Sequence, residues 1–159
     1  MLKYGTSFYT QTDEYKRKNY ETRKKNHTFK SSALENTVYE KLKIVFPDLK
    51  RQYKSNLYPF NCDFYSPCMD LYIEYNGTWT HGGHWFDPSN SADLEKLAKW
   101  KAKNTKYYDN AIMTWTDLDV RKRKTAAENE IRYLVFWDMD EVCSYVDEFL
   151  SNFAPKSSK

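Results

Sequence analysis

The sequence predicts an α/β domain, with a central mixed β-sheet that contains one hairpin and is flanked by helices. Three observations predict it. Two strand-like runs, Tyr58–Tyr65 and Leu71–Asn76, are separated only by the turn Ser66-Pro67-Cys68-Met69-Asp70, the pattern of a β-hairpin. Helical spacing recurs on both sides of them, in Leu34, Val38, Leu42 and Val45 and again in Val142, Tyr145, Val146 and Phe149. Between the hairpin and the last helix, strand-like and helix-like runs alternate, as they do where helices cover the faces of a sheet.

Residues 1–30 hold eight basic residues against three acidic ones and no sustained apolar period. They read as a basic N-terminal arm with one helix near residues 12–25. Residues 31–155 read as one folded domain. Its first helix runs over about residues 32–46, opened by Ser32 and closed by Pro47. The hairpin follows, then a loop from Thr78 to Asn90 rich in Gly, His, Pro and Ser, and a helix near 93–103 carrying Leu94, Leu97 and Trp100. Ala111–Trp115 reads as a short strand, 119–129 as a basic helix, Ile131–Trp137 as a further strand and 140–152 as the closing helix.

Composition narrows the function. A chain of 159 residues has room for one core. A mean hydropathy of -0.90, with apolar runs of only a few residues, excludes a membrane span of about 20 apolar residues. Met1-Leu2-Lys3-Tyr4 opens no apolar leader, so the expected compartment is the cytoplasm. Three cysteines without a Cys-x-x-Cys pair argue against a disulfide framework, and Cys62, Cys68, His81 and His84 have no recognised zinc spacing. The net charge of +3 is small, but basic residues cluster in the arm and in Arg121-Lys122-Arg123-Lys124, as on a face that contacts phosphates.

The hairpin carries the chemistry. Side chains alternate faces along a strand, so Tyr72, Glu74 and Asn76 share one face, and Asp63 shares its face with Asn61 and Tyr65. If the register sets Asp63 beside Glu74, two carboxylates converge on a site suited to Mg²⁺, with Mn²⁺ as a substitute. Such an ion activates water and polarises a phosphoryl oxygen. The bland alternative leaves Asp63 at an exposed strand edge and pairs Glu74 with Lys54 or an arginine.

The stretch CDFYSPCMDLYIEYNGTWTH at residues 62–81 resembles the PD-(D/E)xK nuclease superfamily with its restriction-endonuclease-like fold. Within it, the chain is similar to small phage-type and homing endonucleases, with an Asp-x-Tyr-x-Pro hairpin followed by Ile-Glu-x-Asn-Gly-x-x-x-His, and to very-short-patch repair endonucleases. The resemblance covers about residues 32–137. It implies that Asp63 and Glu74 bind the metal together with the backbone carbonyl of Tyr75, that Glu35 on the first helix joins them directly or through water, and that His81 protonates the leaving 3′ oxygen or binds a phosphate; the plain alternative for His81 is a loop histidine hydrogen-bonded to a carboxylate. Glu35 has a second reading as the far half of a capping box with Ser32.

The superfamily's lysine, two residues after the second acid, is Asn76 here. An amide orients water but supplies no charge, and Lys96, Lys99 or Lys124 is the candidate replacement. Arg121, Lys122, Arg123 and Lys124, with Lys16, Arg17, Lys18, Arg23, Lys24 and Lys25 of the arm, are the expected DNA contacts. The expected function is a Mg²⁺-dependent endodeoxyribonuclease, acting in a bacterial host if phage-encoded and as a homodimer if both strands are cut. The alternative is a DNA-binding protein that retains the nuclease fold without catalysis.

Overall fold

The computed structural model describes residues 33–153 together with residues 12, 14, 15, 17 and 18. The chain divides into two compact units, Met1–Thr37 and Val38–Lys159. In the first, residues 14, 15, 17 and 18 are helical, and Lys18 pairs with Glu14 one turn away at 2.7 Å. Lys16, Arg23, Lys24 and Lys25 lie outside the described residues, as does Ser32 of the capping-box reading.

Helix α1 (Ala33–Leu42) leads to strands β1 (Lys50–Tyr53), β2 (Cys62–Ser66) and β3 (Leu71–Tyr75). Helices α2 (Ser91–Ala102) and α3 (Lys106–Met113) follow, a π-helical segment Thr114–Leu118 runs into α4 (Asp119–Glu128), and β4 (Arg132–Phe136) and α5 (Met139–Phe153) complete the order. The sheet is mixed, as expected. Its order is β1-β2-β3-β4, with the first two pairings antiparallel and β3–β4 parallel. A parallel pair needs a long crossover, and here it runs through α2, α3 and α4.

Alternation along β3 divides its side chains between two cores. Ile73 and Leu71 pack with Phe64 and Phe136, with Val38 and Leu42 of α1, and with Val142 and Val146 of α5. Tyr72 packs on the opposite side with Tyr58, Cys62 and Ala126 of α4, bordered by Tyr53, Tyr65 and Tyr133. A strand covered on both faces reads as a continuous buried run, and Leu71, Tyr72, Ile73 and Glu74 are all buried. Glu74 is the exception in that run, a carboxylate in an apolar stretch.

Two expectations change. β1 carries the polar run Lys-Arg-Gln-Tyr, which has no strand signal of its own; it forms as the outer partner of β2, with Arg51 opposite Phe64 and Tyr53 opposite Cys62. Ala111–Trp115 is helical rather than a strand. A short apolar run cannot distinguish a strand from a buried helix, and Thr105 opens this helix by accepting the Tyr108 N–H. The burial has helical period: Ala111, Trp115, Asp119, Lys122 and Ala126 are buried at spacings of three and four residues, whereas Met113 is exposed.

Candidate active site

The hairpin register decides whether the two acids meet. Phe64 stands opposite Ile73 and Tyr65 opposite Tyr72, which brings Asp63 and Glu74 to neighbouring places on the α4-facing side. The Asp63 Oδ2 accepts the backbone N–H of Tyr75 at 2.9 Å, locking the carboxylate against the end of β3. The N–H and C=O of a strand residue point to the same side, so the Tyr75 carbonyl also faces the Asp63 side. Asn76 is buried, and its N–H turns the other way to donate to the Phe136 carbonyl of β4 at 2.9 Å.

Glu74 is 1% exposed, and among the described residues it pairs with neither Lys54 nor an arginine. Its Oε1 accepts two hydrogen bonds, from the Lys122 Nζ at 2.9 Å and from the Tyr58 hydroxyl at 2.8 Å. The Tyr58 and Tyr133 hydroxyl oxygens lie 3.1 Å apart. Tyr58 has one proton and commits it to the carboxylate, so Tyr133 donates in turn to Tyr58. Burial first, and the Glu74 charge second, hold both phenols neutral by raising their pKa. The tyrosines thereby act as donors that fix the orientation of Glu74.

Lys122 corrects the sequence reading twice. It is not an exposed phosphate contact, because its side chain is only 11% exposed and spent on Glu74. It is instead the cation beside the acids, the place for which Lys96, Lys99 and Lys124 were the candidates. Those three do not reach the acids: Lys99 pairs with Glu95 and Lys124 with Glu128 on exposed helix faces, and Lys96 points to the Gly82 carbonyl at 2.6 Å. Burial alone would depress the Lys122 pKa; Glu74, Asp63 and Asp119 outweigh it and hold the ammonium charged. The other two cations of the basic helix are exposed, Arg121 paired with Asp117 and Arg123 over the Trp85 ring at 5.2 Å.

Asp63 is electrostatically strained. Burial and then the Glu74 charge push its pKa up to about 6, against the pull of the Tyr75 N–H, Lys122 and His81. His81 is held from behind by a residue the sequence reading did not single out: its Nδ1 lies 2.8 Å from Asp119 Oδ2, and Asp119 is 1% exposed. A carboxylate can only accept, so Nδ1 carries the proton and Nε2 stays available. The loop carrying His81 is pinned where Gly82, at φ +72°, lies against the Trp115 indole. His84 does structural work, pairing with Asp93 at the start of α2. Glu35 lies in the first turn of α1, in the Met1–Thr37 unit, with its side chain buried.

The donor set fits a hard divalent cation. Asp63, Glu74 and the Tyr75 carbonyl offer oxygen only, and Mg²⁺ takes one or two carboxylates while keeping several waters. Among the described residues no group of three or more His, Cys, Asp or Glu side chains is gathered to hold a metal, so an all-protein cage is not present there. The Cys62 thiol donates instead to the Phe64 and Ile73 carbonyls. Asn76 Nδ2 and Asp119 Oδ1 are buried among the described residues without a hydrogen-bond partner, which leaves polar capacity for water or ligand.

Comparison with protein-family models, with curated proteins and with solved structures finds no match. Among the described residues no helix is long and apolar enough to cross a membrane.

Proposed function

We propose that the protein is a Mg²⁺-dependent endonuclease that hydrolyses DNA phosphodiester bonds at the Asp63–Glu74–Lys122 cluster, in a domain of restriction-endonuclease-like fold. The observation that carries the reading is the Lys122 ammonium 2.9 Å from Glu74, beside a second carboxylate on the neighbouring strand. This meets the one departure of the sequence from the superfamily pattern, because the positive charge absent at Asn76 arrives from α4.

Each group then has a chemical role. Asp63, Glu74 and the Tyr75 carbonyl would hold the ion, which when bound supplies activation of water and polarisation of the phosphoryl oxygen. Lys122 places positive charge where the phosphate gains negative charge in the transition state. Tyr58 and Tyr133 keep Glu74 in one orientation. The Asn76 carboxamide has an unused donor with which to orient water. His81, when it carries a proton on both ring nitrogens with Nδ1–H held by Asp119, gives its Nε2 proton to the leaving 3′ oxygen.

The test is cleavage of supercoiled plasmid and of single-stranded DNA by the full chain in Mg²⁺, Mn²⁺ or EDTA, beside Asp63→Asn and Glu74→Gln. Metal-dependent cutting that disappears in both variants is expected. Full cutting by either correctly folded variant overturns the proposal. Tight DNA binding without cutting in any metal selects the alternative, a binding protein on a nuclease fold.

A further inference from the structure

The loop between Asn76 and His81 also forms one wall of a concavity. Thr78, Trp79, Lys96, Trp100, Tyr107 and Tyr108 line a cavity of about 300 Å³, the lower end of the range for small-ligand sites. Four of these six residues are aromatic. Trp100 and Tyr108 lie tilted with centroids 6.2 Å apart, and Tyr107 stands edge-on to Tyr108 at 5.2 Å. Trp79 is 81% exposed and Tyr107 half exposed. An indole is among the largest apolar surfaces a residue can bury, so leaving Trp79 in water forgoes stabilisation that a ligand can recover.

Among the described residues that line the cavity, Lys96 is the one cation. Lys96 donates a single hydrogen bond to the Gly82 carbonyl and sits 5.7 Å from the Trp100 centroid. An ammonium has three donors, so two remain for an anion. Aromatic faces beside an available ammonium complement a nucleotide, whose base has two π-faces and whose backbone carries a phosphate. Position adds a second argument, since Trp79 is two residues from His81 on a loop that Gly82 and Trp115 hold in place.

We propose that this cavity receives one unstacked nucleobase of the DNA strand, stacked between Trp79 and the Trp100–Tyr107–Tyr108 wall, with Lys96 on its phosphate. This rests on the endonuclease reading and deepens it: the substrate is DNA with an unpaired nucleotide, not uniform duplex.

The experiment compares two duplexes of one length in EDTA, one fully paired and one carrying a single unpaired 2-aminopurine, binding to the full chain. The unpaired duplex should bind about 5- to 150-fold more tightly, the range expected for one stacked base, and its 2-aminopurine emission should be quenched. Trp79→Ala with Tyr107→Ala, both at exposed positions, should abolish preference and quenching, and Trp79→Phe should restore them. Equal affinity for the two duplexes, or a preference that survives the double alanine variant, overturns the proposal. Cleavage assays in Mg²⁺ keep the two readings apart. Cutting without preference for the unpaired duplex leaves the hydrolytic reading standing and removes the base site; preference and quenching without cutting does the reverse.

Discussion

The Nζ of Lys122 lies 2.9 Å from the Oε1 of Glu74, an ion pair between a helix and a strand 48 residues apart in the chain, with neither side chain more than 11% exposed. Such a pair tolerates the loss of one member far less than the loss of both. A lone buried charge keeps its desolvation cost without its partner.

Lys122→Met should therefore lower stability by about 3–5 kcal/mol. The double variant Lys122→Met/Glu74→Gln should lose clearly less than the sum of the singles. Urea unfolding of the four proteins measures the coupling. Additive losses would mean that the contact contributes nothing beyond packing. Plasmid cleavage should be lost in all three variants.

The contribution of Asp63 to stability should also fall as pH rises from about 4 to about 6. Burial and Glu74 hold the Asp63 pKa up to about 6 in the folded chain, against about 3.9 unfolded. Between those values the folded state keeps a proton that the unfolded state has released, so raising the pH favours unfolding; above about 6 the penalty is complete and constant. Asp63→Asn should flatten this limb of the curve. Mg²⁺ competes with that proton, so it should raise the melting temperature more at pH 7.5 than at pH 5, and not at all in Asp63→Asn/Glu74→Gln. Thermal melts across pH, with Mg²⁺ or EDTA, measure both effects.

Asp119 acts through His81 and is a positioning residue. His81→Gln should reduce kcat by about 10²- to 10⁴-fold, the usual contribution of a general acid. Asp119→Asn should reduce it less, with KM unchanged, because the imidazole remains but loses the carboxylate that orients its ring. A substrate with sulfur in place of the 3′ bridging oxygen needs no proton to leave. It should be cut by both variants at nearly the rate of the unsubstituted protein. A defect of equal size on both substrates would reduce Asp119 to a structural role.

Gly82 and Gly77 both have positive φ but should differ in tolerance. A Cβ on Gly82 would fall 2.2 Å from the Trp115 ring, whereas on Gly77 it would meet only the Tyr75 ring at 3.8 Å. Gly77→Ala should cost the left-handed backbone penalty alone, about 1–2 kcal/mol. Gly82→Ala should cost about 1–3 kcal/mol more for the forced displacement, and it should reduce cleavage by shifting His81. Urea midpoints and plasmid cleavage measure the pair.

The sequence by itself determined the hairpin, the first and last helices and the α/β class, and it left the meeting of Asp63 with Glu74 to the register of the hairpin. Each follows from local periodicity, from the two-residue alternation of a strand or from a turn with Pro inside it. It did not determine β1, whose polar residues become a strand only because β2 offers an open edge. The helical state of Ala111–Trp115 also escaped local reading, although the stripe Ala111, Trp115, Asp119, Lys122 and Ala126 was written at helical spacing throughout. Two of that stripe's members are charged, and charged residues in a run of basic neighbours read as a solvated face. Only the tertiary structure, by laying α4 across the Tyr72–Glu74 face of the sheet, turned Lys122 inward onto Glu74 and Asp119 onto His81. Partners 48 and 38 residues apart leave no local trace. Their pairing is settled by the desolvation cost of burying each charge, which only the partner brought by the fold can offset.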